Sequence, residues 1–225
     1  MKFKHIAFCL STLLASHMAI SHEEATISES NKLGLMQLLY NQSAIPELRK
    51  STNELYSKLS TDEDVANHLL VDYYMPYSQY SIHNQTVGFD ENYGKFLVKI
   101  SGDKDAEHYV GEHLGKMAYS VALSSKTTSS AINNMEIVDY GPDLDNEQRK
   151  ALVFTLWELS FNEKLRTELQ EAEGTSNKAS LLSAIKVNGY SLDPDSSSWI
   201  AQQLHTGSQS QLENFLGYNL YAATW

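Results

Sequence analysis

Capped amphipathic segments that follow one another, apolar residues spaced three and four apart, and few stretches of strand-like alternation predict a mainly α protein. The pattern calls for a single domain of about seven or eight helices, with room for one short two-stranded β ribbon. No internal repeat and no linker rich in Pro, Gly or Ser divides it. Residues 22–225 read as that domain and residues 1–21 as a leader.

The leader has a basic start (Met1, Lys2, Phe3, Lys4, His5), an apolar run from Ile6 to Ala15, and the small-residue pattern Ala19-Ile20-Ser21 before His22. That is the layout of a secretory signal peptide cleaved after Ser21. The run is about half the length that spans a bilayer. The expected location is therefore periplasmic or secreted. Cys9, the single cysteine, leaves with the leader. A cysteine-free mature chain forms no disulfide, carries no thiol nucleophile and builds no thiolate metal site.

Along the domain, Leu35, Leu38 and Leu39 share one face of a helix from about Asn31. Pro46 opens a second, striped by Leu48, Leu55 and Leu59, since proline suits a first turn. Thr61 with Asp64 resembles a capping box for a third, through Ala66, Leu69 and Leu70, ending before Pro76. Periodicity fades from Tyr77 to Gly102, where Gly88, Asp90-Glu91-Asn92 and Gly94 read as loop or turn. The runs Lys95 to Ile100 and Met135 to Tyr140, rich in Val, Ile and aromatics, are the candidates for the ribbon.

Asp105 to Leu123 has a helical core stripe of Val110, Leu114, Met117 and Val121, and Ser124 to Asn134 reads as a surface loop. Asp145 with Gln148 caps the next helix, whose Val153, Trp157, Phe161, Leu165 and Leu169 sit four apart. Trp157 and Phe161 are expected in the core, so Trp157→Ala should cost about 3–5 kcal/mol. Ser160 with Glu163 forms a second box, where the long segment bends or restarts. Three shorter helices follow: Lys178 to Asn188 closed by Gly189, Ser196 to His205 closed by Gly207, and Ser208 to Tyr221 opened by Ser208 with Gln211.

The chain holds 17 Lys and Arg against 28 Asp and Glu, a formal charge of −11. The leader takes away two bases and no acid, so the mature domain is more acidic still. Such a surface repels phosphate backbones and anionic head groups, which excludes nucleic acid and membranes as expected partners and favours a cationic one.

Several local patterns suggest chemistry and are outweighed. Asp105, His108 and Glu112 share a helical face, as in bundle metal sites. That face points away from the core stripe, so a solvated face is expected and no metal or other cofactor. The histidines of His108-Tyr109-Val110-Gly111-Glu112-His113 are five apart, whereas paired zinc histidines need four. Gly111 to Lys116 is one residue short of a phosphate loop. Asp193-Pro194-Asp195 lacks the glycine and terminal glutamate of a calcium loop, and reads as the cap of the next helix. His22 at a mature amino terminus has the groups of a copper brace on a helical chain that does not suit one.

Two features keep a role. Gly111, Gly115, Ala118 and Ala122 form a small-residue stripe; each interior glycine costs about 1 kcal/mol relative to alanine, which close approach of another helix would offset. Tyr73, Tyr74, Tyr77 and Tyr80 crowd around Met75-Pro76 with His83 beyond, and aromatic faces stack on sugars and peptide groups, making these five residues the expected binding surface. The functional expectation is an exported non-enzymatic binding protein, immunity-like or adaptor, for a cationic protein partner. The alternative is a cell-wall hydrolase with a carboxylate general acid in a cleft beside Tyr77 or Tyr80.

Overall fold

The structure, a computed structural model, describes residues 27–56, 63–82, 85–101, 106–124 and 141–225. The leader, His22, Leu59, Thr61, His83, Asp105, the loop from residue 125 and the Met135 to Tyr140 run lie outside the described residues. So does the side chain of His108.

Ser28 caps α1 (Glu29–Ala44) by accepting the Asn31 N–H, and α2 (Pro46–Tyr56) starts on its proline. α3 (Glu63–His68) runs on into a π-helical turn, Leu69–Tyr74, and then α4 (Met75–Ser78). The helical run thus passes Pro76 instead of stopping before it. A proline ring clashes with the carbonyl four residues back in a regular α-helix, and the wider turn before Pro76 gives the ring room.

A two-stranded antiparallel ribbon does form, but from β1 (Tyr80–Ile82) and β2 (Gln85–Val87), with Ser81 opposite Thr86. The Lys95 to Ile100 run is not a strand. It belongs to α5 (Glu91–Ser101), because Asp90 is a helix cap rather than a turn residue: its carboxylate accepts the Tyr93 N–H and its carbonyl the Gly94 N–H. Asn31 fixes that cap from α1, accepting the Asp90 N–H at 2.8 Å and donating to its carboxylate at 3.0 Å. The cap contacts hold the Asp90 carboxyl below its usual range.

α6 (Ala106–Ala118) ends in a second π turn, Tyr119–Leu123. α7 (Asn146–Phe161) begins with the expected Asp145–Gln148 box. The break after α7 is also as expected, although its cap is Asn162, which accepts the Leu165 N–H; Ser160 bonds back to the Leu156 carbonyl instead. α8 (Glu163–Glu171), α9 (Gly174–Ala184), α10 (Pro194–Thr206) and α11 (Gln209–Thr224) complete the chain. Asp193 caps α10 through Ser196, and Gly207 ends it at a φ of 72°.

α9 stops at Ala184, earlier than Asn188-Gly189 suggests as a helix end. Those two residues, both with positive φ, form a tight turn closed by reciprocal bonds between Val187 and Tyr190. Asn-Gly between apolar residues is a hairpin signal, and here it makes the smallest possible hairpin.

α7 is the central helix, with Ala151 through Leu156 all buried. Around it pack α1, which buries Leu35, Leu38 and Leu39, the π turn Tyr119–Leu123 that follows α6, and α11, which buries Phe215 and Leu216. The protein is a mainly α single domain. No helix among the described residues is long and apolar enough to cross a membrane.

Candidate functional site

The four tyrosines of the expected surface do not share an environment, and His83 lies outside the described residues. Tyr74 is a core side chain; Tyr73 and Tyr77 are half-buried against the core, and Tyr80 is exposed on the ribbon. The divergence follows from the π turn: one extra residue per turn rotates Tyr74 inward while Val71 is left 61% exposed. Tyr73 meets the edge of His68, which pairs with Asp72.

A more continuous aromatic surface lies where α1 crosses α7. Tyr40 stacks on Trp157 with ring centroids 4.5 Å apart, and Trp157 meets Phe161 at 5.3 Å. On its other side Tyr40 packs on buried Phe154, which takes Tyr190 edge-on at 5.3 Å. Lys150 places its ammonium 4.8 Å from the Tyr190 ring centre, a cation–π distance. Tyr40, Trp157, Phe161 and Tyr190 are all half-buried. Trp157 and Phe161 are thus rim residues, not the core residues their four-residue spacing suggests. α7 is buried all round over its middle, Ala151 to Leu156, so spacing did not single out one inward stripe.

Polar contacts hold this ridge in place. The Asn188 amide donates to the Tyr40 hydroxyl at 2.6 Å, from the Asn-Gly turn. Trp157 Nε1 donates to Gln37, Gln37 donates to Asn41, and Asn41 donates to the Tyr77 carbonyl at 2.7 Å. This chain of side-chain amides across α1 ties Trp157 to the tyrosine-bearing turn. The Asn188-Gly189 pair was the sequence signal for the ridge; the rest depends on which way α7 turns.

Titratable groups gather instead on α6. His113 is buried and its Nε2 meets the Tyr93 hydroxyl in an aromatic pocket with Phe96. Burial, helped by the Lys116 charge, pushes the His113 imidazole down to about 4, and burial lifts the Tyr93 phenol well above its usual range. On another face of α6, Lys116 pairs with Glu112. Glu112 is half-buried rather than fully solvated. Across from them is Glu213 of α11, 2% exposed. Its carboxyl is raised by burial and by Glu112, while the Gln209 amide and Lys116 act against the rise. Among the described residues, no group of three or more His, Cys, Asp or Glu is placed to hold a metal ion.

The small-residue stripe meets α11, as its composition suggests. A Cβ on Gly115 would stand 1.9 Å from the Glu213 carbonyl oxygen, and one on Gly217 1.8 Å from that of Gly111. Backbone therefore touches backbone at this crossing.

Compared with protein-family models, with curated proteins and with solved structures, the chain matches none.

Proposed function

We propose that this chain is an exported acidic binding protein, immunity-like or adaptor, that engages a cationic protein partner through the aromatic ridge and the carboxylates beside it. One observation carries the reading. Half-exposed Trp157 and Phe161 run straight into α8, where Glu163, Glu168 and Glu171 are exposed, as is Glu173 just beyond it. Two nearby bases are engaged with backbone: Arg166 of α8 donates to the Val121 and Ser160 carbonyls and Lys178 of α9 to those of Leu169 and Gln170. They close helix ends, leaving Lys164, 3.6 Å from Glu168, as the outward base of α8. Aromatic faces next to carboxylates suit lysine and arginine side chains, by cation–π contact and ion pairing together. The leader-like first 21 residues and the excess of acid support export and a cationic partner.

The hydrolase alternative calls for a raised carboxyl beside Tyr77 or Tyr80. Among the described residues the carboxyl that burial raises is Glu213, enclosed between α6 and α11, so binding takes precedence.

A lysine- and arginine-rich peptide titrated into the protein, followed by tryptophan fluorescence, tests this. Saturable binding that weakens as salt rises, and that drops at least tenfold in Trp157→Leu with Glu163→Gln and Glu168→Gln, is expected. Equal binding by wild type and variant would refute the assignment of this surface.

A further inference from the structure

We infer that Glu213 is a proton-operated fastening of the α6–α11 crossing: protonated, it fits the seam, and ionised, it strains the closest helix contact described. The inference stands apart from the binding proposal and uses a different face of the molecule.

The geometry is confining. Gly115 and Gly217 bring the two backbones together so closely that neither has room for a single added carbon. Glu213 lies in that contact, and its own carbonyl is the atom Gly115 approaches. Its side chain is buried beside that contact, 2% exposed. Oε1 accepts from the Gln209 amide at 2.7 Å. Oε2 is buried with no hydrogen-bond partner. A bare carboxylate oxygen in that position lacks the solvation it had in the unfolded chain, whereas a neutral carboxyl group loses far less.

Lys116 and Glu112 are charges that act on Glu213 and leave the ion poorly compensated, while the bases on the other elements packed against α11 are held by other partners or exposed. From α6, Lys116 attracts Glu213 but is already paired with Glu112, which repels it. From the π turn, Tyr119 faces Glu213, and its phenol is raised by burial and by the Glu213 charge. From α7, Arg149 is held by Asn219 and lies over Tyr218. From α1, Lys32 is bound to Glu29 and Ser120. On α10, His205 is exposed in the last turn. One lysine thus serves two carboxylates.

The sign follows from linkage. A carboxyl raised on folding binds its proton more tightly in the native state, so the native state gains stability as pH falls through the raised value toward the ordinary glutamate range. Buried His113 acts oppositely in mild acid, because its folded value is lowered. The wild-type profile mixes the two.

Glu213→Gln separates them, since glutamine keeps the shape and cannot ionise. At neutral pH the variant should melt above wild type, and the gap should shrink steadily as pH falls toward the ordinary glutamate range. Amide exchange in α11 should slow in the variant at neutral pH, after correction for intrinsic rates. A constant gap at all pH values would overturn the inference. Carboxyl-carbon NMR on the wild type provides a reading independent of the variant's folding: a Glu213 midpoint above the ordinary glutamate value, lowered in Glu112→Gln, is expected. A midpoint at or below the ordinary value would overturn it.

Discussion

Two helix crossings in this protein are built on opposite terms. At α6–α11, glycines let backbone meet backbone, and the contact is tight enough to enclose a carboxylate. At α1–α7, the contact near Tyr40 and Trp157 is made by large rings that remain half-exposed and are aligned by amides and a hydroxyl. The first arrangement has no slack, so any added atom or charge acts on the backbone itself. The second has slack on its outer side, where rings are available to another surface. Closeness suits a contact that must hold or respond; bulk at a rim suits one that must recognise.

Ring deletions test the second crossing most strongly. Phe154 is fully buried, and Phe154→Ala should cost about 3–5 kcal/mol in urea unfolding. Trp157→Ala at the half-buried rim should cost about half as much, less than the core position inferred from sequence spacing would give. Equal costs would show that the ridge is core after all and would remove the contrast between the crossings.

The glycines test the first crossing, and two of them four residues apart should respond with opposite sign. Gly115→Ala places a methyl against the Glu213 carbonyl and should lose about 2–3 kcal/mol through overpacking. A Cβ on Gly111 would meet its nearest atom at 3.6 Å, an ordinary contact. Gly111→Ala should therefore be neutral or gain up to about 1 kcal/mol from helix propensity. A loss at both positions would mean that the backbones cannot adjust anywhere along the seam.

Tyr93→Phe gives a smaller effect on the third face of α6. It leaves the buried His113 nitrogen without its partner, at about 1–3 kcal/mol. His113 also predicts a pH slope. Its lowered folded value means that its contribution is complete above the ordinary histidine range and declines as pH falls from there toward about 4. His113→Leu should flatten that part of the melting profile, and an unchanged slope would assign acid sensitivity to other groups.

The sequence by itself determined the helical class, because capping and apolar periodicity are local. Asp145–Gln148, Asp193 and Gly207 sit at the helix boundaries where their chemistry places them. The glycine stripe also announced a close helix neighbour, since two interior glycines need compensation from packing. Some local signals are ambiguous between two uses: Asp90 caps α5 instead of making a turn, and Asn188-Gly189 turns a hairpin instead of ending a helix. Only the tertiary structure decided which helix answers the glycines, that the middle of α7 is enclosed on every side, and that the tyrosines around Pro76 diverge. The physical reason is one of range. A cap or a turn is settled by bonds within four residues, whereas the burial of Glu213 and the exposure of Trp157 depend on helices far away in the chain, and no local pattern encodes their approach.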